Sequence, residues 1–211
     1  MSNYDVVIVG ACTAGTYFSN LLAKQGLKVL VIDKDEEENL SRRLDIFHFT
    51  HQSFQDYGLE EAKSGDEEFV RNFDLCYSKS ALDNYLKKSF LKVAVMHLPL
   101  FIKRLRKTAL ANGVTFRFGV SYDHLLYDEQ KRIKGIAAKS GEEIFARLVV
   151  DASGIPSVVR RSISDPFIED FEIGPRDKFY VLLKYVELSD AKDKVELSTS
   201  WPYYKGWIAP Q

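Results

Sequence analysis

The apolar pattern opens with Val6–Val9, four apolar residues, three of them Val, with no polar interruption. A short strand buried on both faces reads this way. Small residues fill Gly10–Gly15, and Tyr17, Phe18, Leu21 and Leu22 then recur at helical spacing up to Gly26. That spacing predicts a helix closed by the glycine. A second apolar run, Val29–Ile32, ends at Asp33. Strand, small-residue turn, helix and strand are complete between Tyr4 and Asp35, about 30 residues, as a βαβ unit requires.

The middle of the chain is less regular. Asp35–Arg43 predicts a charged loop, and Asp45–Phe54 mixes aromatics with His48 and His51. Gly58–Asp74 reads as acidic and irregular, and Tyr77–Val95 as two short elements. Leu100, Phe101, Leu105, Thr108 and Ala109 predict an amphipathic helix over Leu100–Asn112, with Gly113 at its C′ position. Four strands are expected next, Val114–Phe118, Ser121–Asp128, Ile133–Lys139 and Glu143–Val150, with turns at Glu129–Arg132 and Ser140–Glu142. Beyond Pro166, Phe179–Leu188 and Val195–Trp201 read as strands of a second sheet.

The first turn carries the clearest chemistry. A helix N-terminus offers free N–H groups and a positive dipole end to a phosphate. The backbone must approach a pyrophosphate closely, so the turn must be built from small residues. Gly10 serves the tight turn and Gly15 lets the helix pack on the strand, while Asp33, at the end of the second strand, can accept from a ribose 2′-hydroxyl. Position 12 departs from this pattern, because the glycine of closest approach is Cys12. Two readings follow: a tolerated small residue beside a slightly displaced phosphate, or a thiol activated by the helix N-terminus and sensitive to redox state.

Bulk properties narrow the class. The chain has 211 residues, 45% hydrophobic and 28% charged, enough for one globular domain or two small ones. A net charge of -1 gives no field favouring nucleic acid. The two cysteines, Cys12 and Cys76, lack CxxC or Cys/His metal spacing, so no metal site is expected and the setting reads as reducing and cytoplasmic. Met1–Asp5 leads straight into a strand rather than a signal peptide, and no apolar run approaches the roughly 20 residues of a membrane span. Without a basic amphipathic helix, membrane contact is at most peripheral.

A later segment separates FAD from NAD. Asp151-Ala152-Ser153-Gly154-Ile155-Pro156-Ser157-Val158-Val159-Arg160 follows an apolar strand. It resembles the Asp-Gly region of flavoprotein monooxygenases of the para-hydroxybenzoate hydroxylase type. It resembles still more the Asp-Ala-Ser-Gly…Ser…Arg segment of geranylgeranyl reductase-like flavoproteins. Phe101, Leu105, Ala109 and Gly113 match that family's helix before the hairpin, and Gly206-Trp207-Ile208-Ala209-Pro210 looks like its Gly-Trp-Ile-Phe-Pro strand.

The resemblance implies an α/β, Rossmann-like, three-layer FAD-binding domain over residues 1–165, with an insertion at about 45–95. Residues 166–211 then begin a β-rich substrate domain that is truncated. It implies that Gly10, Ala11, Cys12, Thr13, Ala14 and Gly15, with Asp33 and Lys34, hold the ADP half of FAD. Asp151, Gly154, Ser157 and Arg160 return beside the flavin's linker. Arg42 and Arg43 stand where these flavoproteins place a basic residue against FAD. Three departures accompany it. Cys12 replaces glycine, and Leu98 replaces the arginine that opens the Phe…Leu…Ala helix, with His97 as a stand-in. The family's third motif, Gly-Asp before a helix, does not occur, so the chain reads as the N-terminal half of a longer flavoprotein.

The implied activity is that of an FAD-dependent oxidoreductase. NAD(P)H reduces the flavin, which passes a hydride to a small hydrophobic substrate such as a polyprenyl (geranylgeranyl) double bond. The alternatives are a flavin-dependent monooxygenase or halogenase, and a non-catalytic fragment or subunit that needs a second chain for its missing C-terminal half. No catalytic residue is assigned, since the motifs are cofactor motifs. Ser153 and Ser157 lack a His/Asp partner pattern and read as polar residues of a cofactor loop. Asp151 reads as a turn cap or FAD contact rather than a general base. Phe47, Phe49 and Phe54, like Tyr203, Tyr204 and Trp207, either pack a core or line a substrate cavity.

Overall fold

The computed structural model describes residues 4–40, 46–78, 87–164 and 174–177. Arg42, Arg43, the strands expected at 179–188 and 195–201, and Tyr203, Tyr204 and Trp207 lie outside the described residues. The chain divides into two compact units, one of residues 1–45 and 98–172, the other of 46–97 and 173–211.

In the first unit β1 (Tyr4–Val9) leads into α1 (Thr13–Lys24) and β2 (Val29–Ile32). After the second unit's segment come α3 (Leu98–Ala111), β6 (Thr115–Arg117), β7 (Tyr122–Tyr127), β8 (Ile133–Ala138) and β9 (Glu143–Asp151). The strand order is β6-β2-β1-β9-β8-β7. β1 pairs in parallel with β2 and with β9, and β2 with β6, so β1 is flanked on both sides. β7, β8 and β9 form an antiparallel meander, and β9 belongs to both parts.

Alternation along the central strands produces three layers. Val7, Val9, Leu30 and Ile32 pack with Tyr122, Leu125, Ile136, Ile144 and Ala146 of the meander. Val6, Ile8, Val29 and Val31 face the other way and pack with Ala109 of α3 and Leu22 and Ala23 of α1. Val7, Ile8 and all of β2 are fully buried, which explains the unbroken apolar runs. Burying each such side chain contributes about 1.5–3 kcal/mol. The helices are joined by Asn112, whose Nδ2 donates to Asn20 Oδ1 at 2.8 Å. The meander is clipped to β6 by Arg117, whose guanidinium donates to both oxygens of Glu142 at 2.7 and 2.6 Å.

The second unit holds β3 (Ile46–Thr50), α2 (His51–Asp56), β4 (Phe69–Ser78) and β5 (Lys87–His97). They form an antiparallel sheet in the order β3-β5-β4. Two expectations are corrected here. Phe69–Asp74, read as irregular, is the first half of β4. The stretch that mixes aromatics with His48 and His51, for which no element was expected, holds β3 and α2, and the helix is capped where Thr50 Oγ1 accepts from Ser53 N–H at 3.1 Å. Phe54 is buried and meets Phe49 edge to face at 4.9 Å, and Phe49 lies 5.4 Å from Phe47, so these aromatics pack on one another. Among the described residues no helix is long and apolar enough to cross a membrane.

Candidate cofactor site

The site is built at the carboxyl ends of β1, β2 and β9, where a parallel sheet opens a crevice for ligands. Val9 carbonyl accepts from Ala152 N–H at 2.9 Å, and Gly10 N–H donates to Ile32 carbonyl at 2.8 Å. These two bonds tie the turn after β1 to its neighbours. Gly10 has φ +113°, and a Cβ there would stand 2.3 Å from the Ala152 carbonyl oxygen. At Gly15 a Cβ would stand 1.9 Å from Gly10 O and 3.3 Å from Ala152 Cβ. Neither position leaves room for a side chain, so the turn and the Asp151–Arg160 segment meet backbone to backbone.

The turn is held from below. Thr16, fully buried, donates from Oγ1 to Ala11 carbonyl at 2.8 Å, and Thr16 N–H donates to Cys12 carbonyl at 3.0 Å. Thr16 belongs to no motif in the sequence. Its only signal was a hydroxyl on the buried face of an otherwise apolar helix. Cys12 sits at the N-cap with an extended backbone, φ −77° and ψ −167°, and an exposed side chain. This backbone suits any L residue, so replacing glycine with cysteine brings no strain. The N–H groups that open α1 have no acceptor within the helix, which leaves them for an anion. The cradle fits a pyrophosphate.

Asp33 is engaged by the protein's own backbone. Oδ2 accepts from Ala11 N–H at 2.7 Å and Oδ1 from Asp35 N–H at 3.0 Å. Each oxygen retains a second lone pair for a ribose hydroxyl. Lys34 is exposed and pairs with Asp35 at 2.7 Å.

Asp151 organises the second loop. Its Oδ1 accepts from Ser153 N–H at 3.0 Å and Ser153 Oγ at 2.6 Å, and its Oδ2 from Val159 N–H at 3.1 Å and Arg160 N–H at 2.9 Å. Four donors around one carboxylate make it a loop cap. Ser153 Oγ in turn accepts from Val158 N–H at 3.0 Å. Gly154 takes φ +74°, and its carbonyl accepts from Ser157 N–H at 3.0 Å and Ser157 Oγ at 3.1 Å. Ser157 has φ +42°, a left-handed conformation that is strained for a non-glycine residue. The structure thus brings Gly10 through Gly15, Asp33, Asp151, Gly154, Ser157 and Arg160 to one edge of the sheet.

Of the other residues singled out by sequence, Leu98 belongs to the first unit, and His97, His51 and His48 to the second. Leu98 is buried as the first residue of α3, and His97 N–H donates to Glu68 carbonyl at 2.8 Å at the end of β5. His51 pairs with Glu61 at 2.5 Å, and burial lowers His48 below the usual imidazole range. Among the described residues no group of three or more His, Cys, Asp or Glu could hold a metal.

The FAD binding domain family matches residues 3–206. The chain is 30% identical over 158 residues to a digeranylgeranylglycerophospholipid reductase of Haloferax volcanii, covering 72% of this chain and 36% of the relative. It is 29% identical over 180 residues to squalene epoxidase 2, mitochondrial, of Arabidopsis thaliana, covering 80% and 30%. It therefore spans about a third of the length of these curated relatives. Its fold is like that of a geranylgeranyl bacteriochlorophyll reductase-like protein of Thermoplasma acidophilum, with a TM-score of 0.66 at 19% identity over 77% of this chain and 42% of that one.

Proposed function

Because the chain belongs to the FAD binding domain family, we propose that it holds the ADP half of FAD at the carboxyl edge of its parallel sheet and serves an FAD-dependent oxidoreductase. The observation that carries this is the crease where Gly10 and Gly15 have no room for a Cβ against the Ala152 and Gly10 carbonyl oxygens, so that the two loops meet closely at the carboxyl edge of the sheet. In this reading the first turn of α1 binds the pyrophosphate and Asp33 orients the ribose. Asp151, by capping its own loop, sets Gly154, Ser157 and Arg160 beside the flavin's linker. When bound, FAD supplies hydride transfer, and the chain's own residues bind it, orient it and exclude water.

For the reaction, NAD(P)H is the proposed reductant and a polyprenyl double bond the proposed substrate. The similarity to a digeranylgeranylglycerophospholipid reductase supports the substrate class. A second reading is oxygen-dependent monooxygenation or halogenation, and the similarity to a squalene epoxidase supports the monooxygenation. NAD(P)H oxidation with a polyprenyl lipid under air and under nitrogen separates them. A reductase turns over under nitrogen; a monooxygenase or halogenase needs air. A third reading is a non-catalytic subunit. It accords with a chain that spans about a third of the length of its curated relatives. Within this proposal residues 1–165 form the FAD domain, 166–211 begin the substrate domain, and the setting is cytoplasmic. A chain that gains no flavin absorbance on addition of FAD overturns the reading.

A further inference from the structure

Arg106 is a cation the proposed cofactor site does not use. It lies on α3, and its side chain is only 10% exposed. A buried guanidinium is costly unless paired. It donates from Nη2 to Glu37 Oε1, and its Cζ lies 5.5 Å from the Phe118 ring centroid. Glu37 opens a short 3₁₀ turn, Glu37–Asn39, in the segment that leaves β2. That segment, Asp33-Lys34-Asp35-Glu36-Glu37-Glu38, carries five carboxylates in six residues, whose repulsion favours swinging outward into water. Two further bonds fix its other end. Gly119 N–H donates to Asp35 carbonyl at 3.2 Å, and Val120 N–H to Asp33 carbonyl at 2.9 Å.

The placement has a direct consequence for Asp33. Its Oδ2 is held by Ala11 N–H within the βαβ unit and its Oδ1 by Asp35 N–H, so one of the carboxylate's two anchors depends on where the acidic segment lies. We propose that Arg106 and Glu37 are positioning residues: their pair pins the acidic segment to α3 and so fixes the Asp33 carboxylate for the ribose of the bound dinucleotide. The inference rests on the FAD reading, and it adds that specificity for the ribose 2′-hydroxyl is set from α3, outside the βαβ unit.

The test is calorimetric binding of ADP, 2′-deoxy-ADP and FAD to the full chain and to Arg106→Ala and Glu37→Ala, with thermal melts in parallel. Glu37 is 56% exposed, so its replacement keeps the test available if Arg106→Ala does not fold. The wild type is expected to prefer ADP over 2′-deoxy-ADP by about tenfold, the scale of one hydrogen bond. Both variants lose that preference because ADP weakens to the deoxy level while 2′-deoxy-ADP is unchanged. A general structural loss weakens both nucleotides in parallel, and that outcome overturns the proposal. A preference that persists in Glu37→Ala, or is absent from the wild type while FAD still binds, also overturns it. A wild type that binds neither ADP nor FAD overturns the cofactor reading and the inference with it.

Discussion

Gly15→Ala sets helix propensity against local geometry. Gly15 lies in the first turn of α1, and an exposed glycine-to-alanine change in a helix is worth about 1 kcal/mol of stabilisation. Here the added Cβ would stand 1.9 Å from the Gly10 carbonyl oxygen, and ordinary contact begins at 3.4 Å. The obstacle is backbone, so α1 or the β1 turn must move by about 1.5 Å in a close-packed region, at the upper end of the 1–3 kcal/mol of overpacking. The net expectation is a loss of about 2 kcal/mol, or about 4–8 °C in Tm for a chain of this size. FAD affinity falls as well, because the shift separates the α1 N-terminus from the Asp151–Arg160 loop. Urea or thermal unfolding and FAD titration measure both effects. Lys107→Gly, on the exposed face of α3, serves as the control and should cost about 1 kcal/mol without the loss of FAD affinity. A Gly15→Ala protein as stable as wild type, with FAD affinity unchanged, refutes the close-approach argument.

Three further outcomes are expected. Asp151→Ala strips the acceptor from four donors and should cost about 2–3 kcal/mol in urea unfolding; a loss well under 1 kcal/mol would show that the loop does not depend on its cap. The hydrogen bond from Arg117 holds the Glu142 carboxyl below its usual value of 4.5. A depressed carboxylate stabilises the fold above the unfolded value, and that stability is lost as pH falls through the lower folded one. Wild type should therefore exceed Glu142→Gln by about 0.5 kcal/mol at neutral pH, both partners being partly exposed, and the two should converge in acid; a pH-independent gap contradicts the assignment. Bound FAD should slow alkylation of the exposed Cys12 thiol severalfold, and an unchanged rate counts against the placement of the turn at the pyrophosphate.

The first βαβ unit was legible because three signals coincide within it. Val6–Val9 and Val29–Ile32 are apolar without interruption because both faces of β1 and β2 are covered. Gly10 and Gly15 are glycines because backbone occupies the space of a side chain. The hairpin at Glu129–Arg132 was legible for a similar reason: Asp128 Oδ1 accepts from Gln130 and Arg132 N–H, and Lys131 takes φ +60°. β4 was not legible. It lies in a small antiparallel sheet, follows an acidic stretch, and pairs with a β5 that local periodicity does not indicate. α3 begins at Leu98 rather than Leu100 because Leu98 itself is buried. In the site, the residue types were visible but their partners were not. Asp33 was read for a ribose, and the structure adds its bonds to Ala11 and Asp35. Asp151 was read as a cap or an FAD contact, and its bonds run to residues two, eight and nine positions on. Arg106 gave no signal, since an arginine on a helix with other basic residues reads as solvated surface until Glu37 and Phe118 are placed beside it.

The most direct test of the central claim is a competition titration of FAD against ADP and FMN on the full chain, followed by flavin absorbance and calorimetry. A site built from Gly10–Gly15, Asp33 and the Asp151 loop binds FAD at one equivalent, releases it to ADP and ignores FMN. Absence of FAD binding, or displacement by FMN but not by ADP, contradicts the assignment of this edge of the sheet to the ADP half of the cofactor.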